Sequence, residues 1–495
     1  MRGPPDRNRL RTTPFWALTT EVLMDSTTRP SAGHMRSVIV ITCVTAVGGF
    51  LFGFDNGAIS GTAGFIQDRF GLSAGGLGWV TSSIIVGCII GVVIAGRLSD
   101  AIGRKKVMLG TAVIFLVGAL GEGLATNAEL LVAARILVGI GIGTETTIAP
   151  LYIAEVAPAH LRGRLVSFNQ LFNTVGNLVV FSVSALIARS SSDSWNTEHG
   201  WRYIFVIGIV PAVVFFGLLF LVPESPRWLI RHGRTGEGLA ALRRISPTRS
   251  DAEAELARIE ASMAIEGSRA GISDVLAPRF RKTLAIGFGV ALFQQITGIN
   301  AIFYYAPEVF KSAGLQTNDA MSSTVLIGVT LVAATLVSMW LIDRVGRRTL
   351  LLTGASAMTV LLASIGLVFR NTHPSAPLLL ALILGYVAFF AVSFGTITYV
   401  IISEIFPTHI RGVAASIATF ALWGGNYLVS QFFPMLVEGI GSSSTFFIFS
   451  GISLLALLFT VALVPETKNR SLEEIERQLY GNRHPVDMDR AATTV

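Results

Sequence analysis

Three short segments of this chain each occur twice, the two copies lying roughly half a chain length apart. Gly96-Arg97-Leu98-Ser99-Asp100-Ala101-Ile102-Gly103-Arg104-Lys105 is echoed by Ile342-Asp343-Arg344-Val345-Gly346-Arg347-Arg348. Glu155-Val156-Ala157-Pro158-Ala159-His160-Leu161-Arg162-Gly163 returns as Glu404-Ile405-Phe406-Pro407-Thr408-His409-Ile410-Arg411-Gly412, and Pro223-Glu224-Ser225-Pro226 as Pro465-Glu466-Thr467-Lys468. A chain of 495 residues is therefore one unit written twice, and any fold it adopts has to be built from two similar halves.

Composition places that unit in a membrane. Hydrophobic residues make up 52% of the chain and charged residues 14%, too few for a water-facing surface. Twelve stretches are long and apolar enough to cross a bilayer as helices, six in each half. Their cores are read at 37–58, 75–96, 107–125, 130–153, 165–187 and 203–222, then at 283–305, 322–342, 349–368, 378–402, 413–435 and 445–464. Helices are the expected solution because lipid offers backbone amides no partners. The fold class is thus all-α, with two pseudo-symmetric six-helix bundles (37–222 and 282–465) joined by a helical linker, 223–281. Two amphipathic patterns mark that linker, at 236–245 and 251–263. Segments 1–36 and 466–495 are expected to be cytoplasmic ends, and no signal peptide is read in the first of them.

The basic residues set an orientation. If both ends are cytoplasmic, all Lys and Arg except Arg69, Arg135, Arg189, Arg202, Lys311 and Arg370 fall on the inner side, as the positive-inside rule requires. The net charge of +7 then needs no nucleic-acid partner. No P-loop, His-x-x-x-His, Gly-x-Ser-x-Gly or Cys-x-x-Cys pattern is present, so neither ATP hydrolysis nor metal or nucleophile chemistry is indicated. Cys43 and Cys88 fall inside spans and read as packing residues. Neither an enzyme nor a cofactor is expected.

Few ionisable groups lie at membrane depth, chiefly Asp55, Glu122, Arg135 and Glu145. Each is a functional candidate, since burying one is costly. Asp55 in the first span and Arg135 in the fourth are read as partners. A paired carboxylate stays ionised, and once its Arg moves away desolvation favours the neutral acid, which takes a proton. Glu145 either lines a cavity or bonds to its Thr neighbours. Glu122, near a helix end, is expected to reach water. Uncharged amides form a second set: Gln170, Gln294, Gln295, Asn300, Asn177 and Asn426. Amides donate and accept, which suits a neutral ligand covered in hydroxyls. Phe52, Tyr304, Tyr305, Tyr399 and Trp423 offer flat apolar faces beside them.

These motifs together resemble the sugar porter family of the major facilitator superfamily, over about Ser37 to Leu472. Gly-Arg-Lys after span two, Gly-Arg-Arg after span eight, Pro-Glu-Ser-Pro-Arg-Trp-Leu at 223–229 and Pro-Glu-Thr-Lys at 465–468 carry the likeness. So does Gln294-Gln295-Ile296-Thr297-Gly298-Ile299-Asn300, followed by Tyr304-Tyr305-Ala306-Pro307. The resemblance implies two bundles rocking about a central site. In it, Gln170, Gln294, Gln295 and Asn300 bond sugar hydroxyls, with Tyr399, Trp423 and Asn426 beside them, and Tyr304 with Phe52 closes an outer gate. It implies an inner gate from Asp100, Arg104, Glu155, Arg162 and Glu224 in one half and Arg347, Glu404, Arg411 and Glu466 in the other. Proton-coupled members resemble this chain in having Asp at position 55 with an Arg matching Arg135, so proton symport is favoured.

The chain departs from the family pattern at Tyr399, where Trp is usual, at Leu331, where Asn is usual, and at Leu422, where Gln is usual. Two hydrogen-bonding amides are lost, which favours a ligand with fewer hydroxyls to satisfy. The expected function is import of a monosaccharide, pentose or hexose, by proton symport. A passive facilitator, a polyol or inositol symporter and a non-transporting sensor are the alternatives. The expected partners are a small neutral sugar or polyol, a proton and the lipid bilayer, the expected location is the cell membrane, and a monomer is expected.

Overall fold

A computed structural model of the chain describes residues 32–156, 159–246, 248–265, 272–407, 410–468 and 474. The described residues form helices joined by short turns, with no strand among them. Eleven of the helices are long and apolar enough to cross a membrane. The last, Arg411–Leu463, has 53 residues and leaves helical geometry at Gly441, where φ is +80°. At about 1.5 Å per residue it would be far longer than a bilayer core, so it counts as two spans. Twelve crossings result, as the hydropathy pattern predicts. Between the halves, helices occupy Pro226–Arg231, Thr235–Ile245 and Arg249–Ile265.

The first span runs to Phe70, well past the boundary read from sequence. The residues after Ala58 are small and polar, which looks like a loop in one dimension. In the fold they are a packing face: Gly57 lies against Val180 and Asn177 of the fifth span, and Gly61 against Ser184. The second and fourth spans approach as closely. A Cβ on Gly87 would run into the Ile136 carbonyl, and one on Gly139 into the Ile84 carbonyl. Small residues are what let membrane helices draw together, because dispersion contact replaces the missing hydrophobic drive.

The three repeated motifs are one structure in each half. At Gly103 the chain turns with φ of +101°, and the third span begins with its backbone amides unpaired by its own helix. Glu224 covers them: its Oε1 accepts from the amides of Arg104 (2.9 Å), Lys105 (3.1 Å) and Ser225 (2.8 Å). The Arg104 guanidinium forks onto Glu155 at 2.9 and 3.0 Å and reaches Asp100 at 3.1 Å. In the second half Gly346 again has φ of +101°. Glu466 takes the amides of Arg347 (3.0 Å) and Arg348 (3.2 Å), and Arg347 reaches Glu404 at 3.1 Å. A carboxylate at a helix N-terminus is favoured by both the orphan amides and the helix dipole.

In this conformation the residues expected to form an inner gate pair within their own halves. The Arg104–Asp100, Arg104–Glu155 and Arg347–Glu404 ion pairs each lie within one half. Glu224 is a helix cap, and Arg411 donates to the Phe406 carbonyl at 3.1 Å. The Arg162 side chain lies outside the described residues. Contacts between the halves gather at the opposite end instead. There Gln431 of the eleventh span donates to the Gly75 carbonyl at 3.2 Å and accepts from Ser82 at 2.9 Å.

Because a side chain at Gly87 would strike backbone rather than a movable side chain, Gly87→Val should destabilise the fold by about 1–3 kcal/mol or more. Thermal unfolding in detergent measures this, and an unchanged midpoint would show that the second and fourth spans are not in backbone contact.

Candidate functional site

Two spans are interrupted midway, and the interruptions face each other. The seventh consists of Arg281–Ile296 and Ile299–Ser312, parted at Gly298 with φ of +98°. The tenth consists of Ala376–Val392 and Phe394–Ile405, parted at Ser393. Broken helix ends expose backbone groups that lipid cannot satisfy, so side chains do it. Tyr386 donates to the Thr297 carbonyl at 3.1 Å, and Gln294 Nε2 donates to the Phe394 carbonyl at 3.2 Å. Gln294 therefore stitches the two breaks together, while its buried Oε1 has no hydrogen-bond partner. Such an oxygen is an available acceptor for a hydroxyl.

The remaining amides extend from that point. Asn300 donates to Gln295 Oε1, and both side chains are buried. Asn426 donates to the Tyr304 hydroxyl at 3.4 Å and accepts from Ser430 at 2.9 Å. Tyr304 in turn donates to Asn56 Oδ1 of the first span at 2.5 Å, which links the two halves. Phe52 packs on Trp423 with ring centroids 6.1 Å apart, a second link between them. Tyr399, on the second segment of the interrupted tenth span, is 49% exposed. The structure thus brings together Gln294, Gln295, Asn300, Tyr304, Tyr399, Trp423, Asn426 and Phe52. Gln170 remains half-buried on the fifth span, with no hydrogen bond to this cluster among the described residues. Leu331 and Leu422 are both buried.

Sequence reading missed two polar members, Asn56 and Tyr386. Asn56 was legible as the neighbour of Asp55. Tyr386 had no signal, because its role depends on a helix break in another span.

The charged group differs from the expectation. Arg135 pairs with Glu122, not Asp55: Nη1 lies 3.5 Å from Glu122 Oε1, with each side chain 1% exposed. Its Nε donates to the Val80 carbonyl at 2.8 Å and Nη2 to the Thr81 carbonyl at 3.4 Å. Asp55, buried on the first span, makes no hydrogen bond or ion pair among the described residues but feels the charges of both Glu122 and Arg135. Glu122 was expected to reach water because it lies near a helix end. That end is covered: Arg202 of the sixth span donates to the carbonyls of Gly123 (3.0 Å) and Ala125 (2.6 Å). Glu145 is also buried, and its Thr neighbours turn away, with Thr144 bonded to the Ile140 carbonyl and Thr146 and Thr147 to that of Gly143.

Removing one partner of a buried ion pair leaves the other uncompensated, at a cost of about 3–5 kcal/mol. Glu122→Gln should therefore lower the unfolding midpoint more than Asp55→Asn does. Equal midpoints would place Arg135 with Asp55.

Comparison with known proteins follows this geometry. The family described as "Sugar (and other) transporter" matches residues 41–479. The arabinose-proton symporter of Bacillus subtilis is 43% identical, the match covering 90% of this chain and 95% of that protein. The D-xylose-proton symporter of Escherichia coli is 37% identical over 89% of this chain and 95% of its own. A structure of the E. coli xylose transporter in a partially occluded inward-open conformation superposes with a TM-score of 0.78 at 34% identity, covering 88% of this chain and 100% of that one. The chain is a multi-pass membrane transporter, not an enzyme, and it belongs to the sugar porter family of the major facilitator superfamily.

Proposed function

We infer that this protein imports a small neutral monosaccharide by proton symport through alternating access, with the loops rich in Lys and Arg on the cytoplasmic side of the cell membrane. The observation that carries the reading is Arg135 paired with Glu122 while Asp55, buried on the first span and within reach of both charges, has no partner among the described residues. An acid in that position has two stable conditions. With Arg135 beside it, it is ionised; with Arg135 drawn to Glu122, burial without a counter-charge favours the protonated form. Movement of one guanidinium thus loads or releases a proton. The curated relatives named as proton symporters for arabinose and xylose fit this arrangement.

Sugar recognition is assigned to the second half. Gln294 offers an unpartnered amide oxygen beside two interrupted helices, and Gln295 and Asn300 spend one hydrogen bond on each other. A ligand hydroxyl inserting between those two exchanges that bond for two of its own. Leu331 and Leu422 add apolar wall where an amide would serve a further hydroxyl, and this supports a pentose over a hexose. The contacts of Tyr304 with Asn56 and of Phe52 with Trp423, which bridge the halves, support an outer gate made by Tyr304 and Phe52 and a site that opens inward. The cytoplasmic constellations of Glu224 and Glu466 are intact within each half, as that state requires. Reversal to the outward state has to break the Gln431 contacts to Gly75 and Ser82.

Uptake of labelled pentoses, hexoses and polyols into proteoliposomes, with and without a pH gradient, tests the whole reading. A polyol preference, or uptake indifferent to pH, would replace it with a polyol carrier or a facilitator. Within the site, Asn300→Ala and Gln295→Ala should each weaken binding by about 1 kcal/mol, roughly a fivefold rise in Kd. Isothermal titration of the purified variants checks this, and unchanged affinity in both removes them from the site. Asp55→Asn keeps the side-chain shape and abolishes its titration. It should bind sugar yet fail to accumulate it against a gradient, and concentrative pH-driven uptake by a folded Asp55→Asn protein would sink the coupling scheme.

A further inference from the structure

One buried acid is left over by this scheme. Glu145 lies on the fourth span between Arg135 and Glu155, and its side chain is 3% exposed. Its Oε2 is buried and has no hydrogen-bond partner. The carboxyl is set against Gly48 of the first span, where a Cβ would collide with Oε1, and the Phe215 ring of the sixth span borders the same gap. A glycine has left room here for an acid that bonds to nothing beside it.

The position of that gap gives it meaning. Gly48 and Asp55 stand at i and i+7 on one helix, which puts them on the same face about 10 Å apart along its axis. Gly48 is on the side of the Lys- and Arg-rich loops. Glu145 therefore lies below Asp55, between it and that compartment, on the face Asp55 presents.

The neighbouring spans supply no counter-charge at this level. The first carries only Cys43 and Asp55 among titratable groups between Val40 and Ile66, and the second only Cys88 between Ala74 and Gly96. The third has none between Val107 and Gly121, the fifth none between Phe168 and Ala188, and the sixth none between Ile204 and Leu219. Arg135 lies further out, engaged with Glu122, and Arg104 lies at the helix end, engaged with Glu155. A carboxyl kept at membrane depth without a partner is the kind of group found along proton paths.

We propose that Glu145 is the station through which the proton leaves Asp55 for the compartment on the basic-loop side. The proposal deepens the symport reading and rests on it. When the site opens inward, the O–H bond of the Asp55 carboxyl breaks and its proton passes through water in the opening to the Glu145 carboxylate. An O–H bond forms there while Asp55 becomes the carboxylate. Glu145 then gives the proton to bulk water and is ready for the next cycle. Charge and atoms balance, and no other reactant is needed.

The test compares wild type, Glu145→Gln, Glu145→Asp and Asp55→Asn in proteoliposomes of defined orientation. Sugar counterflow and proton-driven uptake are measured while pH is varied on the basic-loop side alone. Glu145→Gln is expected to slow proton-driven uptake by about tenfold or more, in the range of lost proton-transfer groups, and to abolish its dependence on that pH. Counterflow, which requires no net proton release, should change far less, and Glu145→Asp should restore part of the coupled rate. Wild-type coupled rates and an unaltered pH profile in Glu145→Gln would overturn the proposal, as would an equal loss of counterflow in a folded protein. If Glu145→Gln does not fold, carbodiimide labelling of the wild type decides. Modification of Glu145, located by mass spectrometry, that slows coupled uptake supports the station, and modification without effect overturns it. Absence of proton-driven uptake in the wild type would instead remove the symport reading itself, an outcome visible before any variant is made.

Discussion

In the hydrocarbon of a bilayer no water is available to satisfy a backbone amide or carbonyl, and this constraint shapes every irregular feature of the molecule. A helix can be interrupted at membrane depth only where another side chain takes over the lost bond. The seventh span breaks at Gly298 because Tyr386 supplies a donor for the Thr297 carbonyl. The eleventh span accepts Pro434, which deprives the Ser430 carbonyl of its helical partner, because Tyr305 donates to that oxygen at 2.8 Å. The breaks in turn gather the buried amides of Gln294, Gln295 and Asn300. The polar chemistry of the site is thus a consequence of how the backbone was satisfied around it.

Charge obeys the same rule more severely. Arg135 is fully enclosed, and two backbone carbonyls plus the Glu122 carboxylate accept its hydrogens. In the proposed coupling, one guanidinium with two acids on different helices has alternative partners, and alternative partners make a two-state element. Packing is equally constrained, since spans drawn together through Gly87 and Gly139 are in backbone contact. Differences of a few kcal/mol between such arrangements are enough for a ligand or a proton to select one.

At the helix ends, charge has a different office. Glu224 and Glu466 close the N-termini of the third and ninth spans over glycines of the same φ, and Arg104 and Arg347 tie those corners to Glu155 and Glu404. The repeated motifs read in one dimension as charged loops are two copies of one corner brace. Each brace ties together helix ends within its own half.

The sequence alone determined the architecture: spans of membrane-crossing length, two similar halves and the cluster of amides in the seventh span. Those follow from composition, periodicity and repetition, which are local properties of a chain. Partner choice was decided by the tertiary structure. Asp55 and Arg135 were legible as buried charges, yet Arg135 took Glu122, because Arg202 seals a helix end that the sequence left open to water. Likewise the residues after Ala58 lay outside the first span as read from sequence, yet they continue its helix, with Gly61 against Ser184 of the fifth span. Glu145 was visible as an acid, but only folding set it against Gly48 and beneath Asp55. Which residue is exposed, paired or left alone depends on what packs over it, and the covering residues come from distant parts of the chain.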